Sequence, residues 1–483
     1  MIEEEDSERT ALLTDRNYRI VNLRQSDNGT MGTYKTYKRR WIILFVLFLT
    51  SLSNAMIWIS YSPIADKAAN FYNVSAKSIN WFALIYMVIC IPFGFCAAWL
   101  LDTRGLRITL LLAAYLNVLG SGLRVLASFL PKGEFSIAIT GQGIAALAQP
   151  LAVFAPTKLS ALWFSEHQRT RANTVASMAN PAGALLGSLI APVIVYNNDR
   201  HLIGYLNIGC LGLAAIPAIL GTFTVCSSIP PSPPSASAAE PSQTFFRGLK
   251  MLKSNKPFWL LCLCFGSGLG TFTAVSALIE QILCPWGYNS LFAGICGALL
   301  IVFGLIGSAI IGQIVDRTRK FEEIVKIGFS FASIAFLAFV VVHHYTDIKV
   351  AVGACISLFG LFAVSLYPVC NELAVECTFP VAEGTSSGLL FIAGQVIGVV
   401  MLLVSQAMAS ASPVSTPYQQ CEAVSQKYGV EPYDYTYALL FMAIILSLCT
   451  LSLVSFFRCT YRRLKAEEEL AAENILQSAV HRN

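Results

Sequence analysis

The chain has 483 residues, of which 55% are hydrophobic and only 13% are charged, and its mean hydropathy is +0.62. A soluble domain carries about 25% charged residues, so this composition excludes an ordinary soluble protein. No pattern typical of metalloproteases, P-loop enzymes, hydrolases or dinucleotide-binding enzymes occurs in a sequence context that would support such an activity. We therefore expect neither an enzyme nor a cofactor or metal site.

Apolar runs of about 20 residues recur along nearly the whole chain, and a helix of about 20 residues crosses a bilayer core. We predict an all-α membrane protein with twelve transmembrane helices, called spans 1 to 12. Their predicted bounds are 41–64, 79–101, 106–128, 136–156, 174–196, 203–226, 257–280, 292–315, 324–344, 348–370, 386–408 and 436–457. Within span 5, Gly183 and Gly187 form a small-xxx-small pair, which predicts close approach of two helices.

The distribution of Lys and Arg indicates the orientation. The first 40 residues are polar and contain no signal peptide. With a cytosolic N-terminus, only six of the 33 Lys and Arg residues fall in outer loops. The positive-inside rule then places both termini in the cytosol, and the net charge of +5 reflects topology and not nucleic-acid binding. The membrane of residence is either the plasma membrane or an endolysosomal membrane.

A Pro/Ser/Ala-rich stretch at 227–243 divides the spans into two groups of six and has the composition of a flexible linker. Landmarks recur across it at one offset: Asp102 and Asp316 are 214 residues apart, and Phe164 and Phe379 are 215 apart. Two parallel six-helix repeats resemble the major facilitator superfamily, whose substrate site lies between the halves. The predicted divisions are a tail 1–40, a half 41–226, a linker 227–256, a half 257–457 and a tail 458–483.

Each half repeats a charged motif in the loop after its second span. Its members are Asp102, Arg104 and Arg107 in the first half, and Asp316, Arg317 and Arg319 in the second. The superfamily's motif in this loop implies a gate, in which the Asp pairs with an Arg of the adjoining loop and latches one closed state. The alternative is a solvated turn between closely linked helices.

Several local motifs carry a closer resemblance. They are WISYSP (58–63), LLDTRGLR (100–107), GQGIAALAQP (141–150), WFSEHQR (163–169) and AVECTFPVAEGTSSGLL (374–390). Together they resemble solute carrier family 49, the feline leukaemia virus subgroup C receptor-related transporters, over essentially all twelve spans. That resemblance implies transport of choline and ethanolamine, and members of the family were earlier described as haem exporters.

The resemblance also implies a binding site. Relatives hold a quaternary ammonium ion with a Trp in span 1 and Gln residues in spans 4 and 11, which match Trp58, Gln149 and Gln395. Their Tyr in span 7 is replaced here by Thr273, and a later amide is replaced by Glu280. We therefore expect these five residues to bind the substrate.

Each intramembrane residue also has a purely structural interpretation. Trp58 lies deep enough in span 1 to belong to the aromatic belt of the outer interface. Glu280 either marks an ion pathway or simply ends span 7 at the surface. We expect Arg124 to extend outward to the interface rather than face the cavity. Asn54 and Gln142 are expected to hold helices together through hydrogen bonds.

Cysteine and histidine pairs at the outer ends of spans give weaker signals. Cys284 and Cys421 fall near outer loops and can pair as a disulfide. His343 and His344 end span 9, and with Cys284 they are the residue types that ligate haem iron. A match of two residues in a cysteine-rich chain is too common to support a haem site.

The polar ends and loops carry short motifs. Glu8, Leu12 and Leu13 fit the acidic dileucine pattern that clathrin adaptors recognise, and Asn73 begins a glycosylation sequon in the first outer loop. Residues 461–477 are expected to form a short helix after span 12. We expect a monomer in the lipid bilayer with a small-molecule substrate.

The sequence therefore predicts a transporter that moves a small organic solute, a choline- or ethanolamine-like cation, by alternating access. Two alternatives stay open. One is a transporter of haem or another metabolite, and the other is a membrane receptor or sensor that does not transport.

Overall fold

The structure is a computed structural model and describes residues 35–74, 76–130, 134–196, 200–234, 245–288, 290–345, 348–411, 433–466 and 469. Within these ranges, twelve helical segments are long and apolar enough to cross a membrane, which confirms the predicted number of spans. Spans 1 to 6 consist of the helices Arg39–Ile59, Ala76–Arg104, Leu106–Phe129, Phe135–Val153 with Ala155–Trp163, Glu166–Ile194 and Arg200–Thr224. Spans 7 to 12 consist of Lys256–Leu283, Ser290–Thr318, Phe321–Val342, Lys349–Ala363 with Leu366–Thr378, Glu383–Met408 and Thr436–Phe456.

Shorter elements connect the spans. Helix Ala65–Tyr72 follows span 1, and helix Phe245–Lys253, here called the linker helix, precedes span 7. Single 3₁₀ turns occupy Ser62–Ile64 and Cys284–Trp286. Between spans 11 and 12, the two-residue strands Ser410–Ala411 and Tyr433–Asp434 pair antiparallel, with Ser410 opposite Asp434.

Spans 4 and 10, the fourth spans of the two predicted halves, are both broken into two helices. The predicted ends at residues 156 and 370 were too early, because each second helix continues to Trp163 or Thr378. These second helices are less apolar than the first helices of the same spans but are almost wholly buried in the protein, so the apolar runs in the sequence end before the spans do. The matching breaks support a duplicated architecture.

Glycines let helices approach closely within and between the halves. A Cβ added to Gly183 would collide with the Leu52 carbonyl of span 1, and one added to Gly187 would lie 2.5 Å from Ile59 Cγ2. The predicted small-xxx-small contact is therefore confirmed, with span 1 as the partner. Across the halves, span 2 packs against span 11 and span 5 against span 8.

Asn54 joins three spans of the first half. Its Nδ2 donates to Asn117 Oδ1 in span 3 at 2.7 Å and to the Ala145 carbonyl in span 4 at 2.8 Å. Asn117 in turn donates to the Thr50 carbonyl of span 1 at 3.2 Å. The expected role of Asn54 in holding helices together is confirmed.

The C-terminal segment returns to the bundle. Cys459 forms a disulfide with Cys377 at the end of span 10. The expected partner Cys421 and the side chain of Cys284 lie outside the described part of the chain. Of the expected helix at 461–477, the described residues 462–466 are helical.

Candidate functional site

A cavity with about 970 Å³ of empty space, part of it open to solvent, lies between the two halves. Four of the predicted site residues line it: Trp58 and Gln149 from the first half, and Thr273 and Gln395 from the second. Trp58 and Gln395 are more than 330 positions apart in the sequence, and the fold brings them to the same cavity. Among the described lining residues, none is charged.

Trp58 lies at the end of the first helix, one residue before its last residue, Ile59. Its indole Nε1 donates to the Ala83 carbonyl of span 2 at 3.2 Å, which fixes the ring edge and leaves the ring to line the cavity. The position is therefore a cavity wall between spans 1 and 2, and not only a place in an interfacial belt.

Arg124 holds the backbone around Trp58. Its Nη1 donates to the Ile57 carbonyl at 2.8 Å and its Nη2 to Ser60 Oγ at 2.8 Å, so it bonds to residues on both sides of Trp58. Gln142 donates to the Trp58 carbonyl at 3.4 Å and accepts from Arg124 at 3.0 Å. A cation at a helix C-terminus is also favoured by the orientation of the last carbonyls.

The expectation that Arg124 extends outward was wrong. Its side chain is 1% exposed, its guanidinium lies 4.1 Å from the centre of the Tyr61 ring, and Nη2 also donates to Asn207 Oδ1 at 3.0 Å. Four buried acceptors from spans 1, 4 and 6 outweigh the hydration that the side chain would gain at the interface. Gln142 has the helix-joining role expected of it.

The amides of the first half leave hydrogen-bonding capacity toward the cavity. Gln149 is 6% exposed, and its buried Oε1 has no hydrogen-bond partner among the described residues. Asn180 of span 5 also lines the cavity, and its Nδ2 likewise has no partner within the described part of the chain. The sequence analysis missed Asn180, although both amides directly precede a proline inside a span, a pattern that could have identified it.

The second half supplies aromatic rings that the sequence analysis also missed. Tyr367 stacks on Phe265 with ring centres 5.9 Å apart and contacts Phe391 edge-on at 6.2 Å, and all three line the cavity. Thr273 Oγ1 donates to the Leu269 carbonyl of its own helix at 2.8 Å. The aromatic surface lost at Thr273 is thus present elsewhere on the same wall.

Glu280 lies in the last turn of helix Lys256–Leu283, two turns beyond Thr273. Its side chain lies outside what the structure describes, so its role in substrate binding stays a prediction.

Asp102 connects the halves at the end of the bundle that is predicted to be cytosolic. Its side chain is 3% exposed, pairs with Lys158 at 3.0 Å, and accepts from Thr385 Oγ1 of span 11 at 2.6 Å. The expected pairing with a loop Arg was wrong: Arg104 is exposed, and Arg107 donates to the Cys226 carbonyl at 3.0 Å. Lys158 lies in the buried second helix of span 4, where desolvation favours a close carboxylate partner.

Asp316 makes the corresponding contact in the second half. Its carboxylate pairs with Arg171 Nε, at the start of span 5, at 2.9 Å. Arg317 is exposed, and within the described residues neither Arg317 nor Arg319 forms an ion pair with Asp316. Nearby, Gly312 packs against Thr174 of span 5, so the motif glycine permits the close approach. Both motifs therefore reach across to the opposite half.

A third polar contact at this end involves the C-terminal segment. Asn173 of span 5 donates to Glu372 of span 10 at 3.3 Å, and Arg463, after span 12, lies 3.5 Å from the same carboxylate. All three side chains are buried. These residues were not predicted, because nothing local in the sequence shows that residue 463 returns to span 10.

Other predicted residues lie away from the cavity. Burial lowers the pKa of His343, just beyond span 9, to about 4, and its Nδ1 bonds the Val340 carbonyl at 2.7 Å. In the described part of the chain, no group of three or more His, Cys, Asp or Glu side chains could hold a metal ion.

Asn73 is exposed at the end of helix Ala65–Tyr72. The dileucine residues Glu8, Leu12 and Leu13 lie outside the described residues.

Comparisons with known proteins agree with this architecture. The sequence profile of the Major Facilitator Superfamily matches residues 43–402. The solved proton:xylose symporter XylE aligns with a TM-score of 0.68 at 15% identity, covering 88% of this chain and 98% of that chain. The transporter FucP, in its outward conformation, aligns with a TM-score of 0.66 at 13% identity, covering 87% and 99%. These two show a shared fold.

Sequence relatives are closer. Solute carrier family 49 member A3 of Xenopus tropicalis is 42% identical over 455 residues, which cover 92% of each chain. The choline/ethanolamine transporter FLVCR1 of Felis catus is 33% identical over 380 residues, covering 76% of this chain and 67% of the relative.

Proposed function

This chain belongs to the major facilitator superfamily and, within it, to solute carrier family 49, and we propose that it transports a choline- or ethanolamine-like organic cation by alternating access. The observation that carries the proposal is the convergence of Trp58, Gln149, Thr273 and Gln395 on one cavity between the halves. A site placed there becomes accessible from either side when the halves rock against each other.

The chemistry of the cavity favours an organic cation with a polar group. Without a charged lining residue among those described, the positive charge is held by aromatic faces such as that of Trp58, each worth about 2 kcal/mol when desolvated. Gln149 Oε1 can accept a hydrogen bond and Asn180 Nδ2 can donate one. A substrate hydroxyl can donate to Gln149 Oε1 and accept from Asn180 Nδ2. A protonated amino group can donate to Gln149 Oε1 but cannot accept from Asn180. The name of the 33% identical feline relative supports the same substrate class.

Alternating access needs contacts that break when the cavity opens. Asp102 with Thr385, Asp316 with Arg171, and Asn173 with Glu372 each join the two halves at one end of the bundle. We propose that this end is cytosolic, as the Lys and Arg distribution predicts, and that these contacts form the cytosolic gate. Asn73 then lies on the opposite side, available for glycosylation.

The test is uptake of labelled choline and ethanolamine by cells that lack endogenous choline carriers. Trp58→Ala should abolish uptake at matched surface expression, Trp58→Phe should retain part of it, and Thr273→Tyr should raise the apparent affinity. The conservative Phe variant controls for folding, because it keeps an aromatic ring at the cavity wall while losing the bond to Ala83 and part of the ring area.

Other outcomes decide between the remaining functions. Choline binding without uptake would favour a receptor or sensor that does not transport. Neither binding nor uptake by a protein at the cell surface would reject the choline class and favour another metabolite, including haem.

A further inference from the structure

The linker helix Phe245–Lys253 has two contrasting faces. Phe245, Gly248 and Leu252 are buried against the protein. On the opposite side, the exposed residues are Phe246, Arg247, Lys250 and Lys253. The apolar Phe246 is 74% exposed and lies next to the three cationic side chains.

The buried face of this helix lies on the predicted gate. A Cβ added to Gly248 would lie 3.0 Å from Val381 Cγ1 and 3.9 Å from Thr385 Cγ2, so the helix rests on the start of span 11. Thr385 is the residue that donates to Asp102. At its other end, Trp259 Nε1 of span 7 donates to the Leu252 carbonyl at 3.0 Å.

The exposed face does not fit an ordinary solvated surface. Among the described residues, Arg247, Lys250 and Lys253 form no ion pair, so their charge is not neutralised within the described protein. The exposed Phe246 adds an apolar ring to the same face of the helix. Basic side chains beside an exposed ring, on a helix attached to a transmembrane bundle, are the pattern of an interfacial segment that binds anionic headgroups.

We propose that the linker helix binds the anionic headgroups of the adjacent lipid leaflet, with Phe246 entering the interface and Arg247, Lys250 and Lys253 contacting the headgroups. Because the opposite face packs on the start of span 11, anionic lipid also holds that end of span 11 in the arrangement where Thr385 bonds to Asp102. The proposal is independent of the transported solute.

The test is hydrogen exchange of the full-length protein in lipid nanodiscs of phosphatidylcholine alone or of phosphatidylcholine with phosphatidylserine. Exchange of the amides in 245–253 should slow by on the order of tenfold with phosphatidylserine, and high salt should cancel the difference. The symmetric nanodisc makes the result independent of the orientation of the chain.

Two charge variants distinguish binding from a change in folding. The triple change Arg247→Gln, Lys250→Gln and Lys253→Gln should remove the phosphatidylserine effect, whereas the charge-preserving triple Arg247→Lys, Lys250→Arg and Lys253→Arg should keep it. Phe246→Ser should reduce it. Equal exchange in both lipids, or a phosphatidylserine effect that survives in the Gln triple, would overturn the proposal. Unchanged exchange in the peptide that contains Arg124 verifies that each variant is folded.

Discussion

Replacing Arg124 tests whether a buried cation sets the position of the cavity wall. Arg124→Met keeps an unbranched side chain that replaces the aliphatic part of the arginine, and it removes the four hydrogen bonds to the Ile57 carbonyl, Ser60, Gln142 and Asn207. Hydrogen bonds to a charged group contribute about 1.5–3 kcal/mol each, and relief of the burial of the charge offsets part of that sum. We expect a loss of about 3–5 kcal/mol in the free energy of unfolding.

The position of Trp58 should change as well. Arg124 bonds the Ile57 carbonyl before Trp58 and the Ser60 hydroxyl after it, so its loss removes restraints on both sides of the indole. If the ring then no longer faces the substrate, the cation–π energy of about 1–2 kcal/mol is lost and KM rises roughly tenfold. Arg124→Lys keeps the positive charge but lacks the planar guanidinium with its several donors, so it should have a smaller effect on the free energy of unfolding and on KM.

The assay combines thermal unfolding of the purified protein with uptake kinetics in a double-mutant cycle. Arg124→Lys is measured in the wild type and in a Trp58→Phe background, which retains enough transport to determine KM. Asn117→Ala is the matched control, because Asn117 is equally buried and bonds span 1 at Thr50 and Asn54, one to two turns before Trp58, without contacting the residues next to the indole. It should lower stability without coupling to Trp58.

Two results would refute this reasoning. One is an Arg124→Met protein that unfolds within about 1 kcal/mol of the wild type, since the four bonds would then contribute little. The other is a rise in KM from Arg124→Lys that is the same in both backgrounds, because a residue that acts through Trp58 must lose influence when that side chain changes.

Three further predictions concern packing, the gate and pH. Gly183→Ala should lower the unfolding temperature, because its Cβ meets the span 1 backbone, whereas Gly209→Ala meets nothing within 4 Å and should be neutral or slightly stabilising in the same thermal assay. Asp102→Asn should speed hydrogen exchange at the start of span 11, since Lys158 loses its closest carboxylate. The pKa of His343 lies at about 4 in the folded protein, below its ordinary value of 6.5, so the unfolded chain binds more protons between these values. Stability should fall as pH drops from 6.5 to 4, and His343→Gln should flatten that part of a thermal-unfolding pH profile.

Each of these predictions has a contrary result. Equal unfolding temperatures for the two glycine variants would remove the close contact between spans 1 and 5 as a source of stability. Exchange at span 11 that is unchanged in Asp102→Asn would mean that Thr385 alone holds the contact. A pH profile of His343→Gln that matches the wild type would assign the acid sensitivity to other groups.

The sequence predicted the number of spans and four residues that the structure places around one cavity. Composition is sufficient for the spans, whereas Trp58, Gln149, Thr273 and Gln395 were selected through the resemblance of local motifs to solute carrier family 49. Tyr367 could not be assigned in the same way, because in an apolar span the lipid-facing and cavity-facing sides have similar composition. Helix orientation is set by packing with neighbouring spans, which no local pattern records.

The position of the Arg124 side chain could not be predicted from the sequence for a similar reason. Extension toward the interface is the usual behaviour of a single Arg near a helix end. Its acceptors come from spans 1, 4 and 6, which are far apart in the sequence. A cation in a span can be placed only when the polar groups of the neighbouring spans are known.

The contacts that Asp102 and Asp316 make with the opposite half are explained by the two-fold repeat of the architecture and not by the local motif. Asp102 of the first half bonds the start of span 11, and Asp316 of the second bonds the start of span 5, which are corresponding fifth spans of the two halves. Each acidic residue therefore reaches the opposite repeat and not its own loop. In the gate that we propose, both contacts lie at the same end of the bundle, so opening that end would break both and each repeat would restrain the movement of the other. This reciprocal arrangement requires two copies of the motif, which is a physical reason for an Asp at both positions.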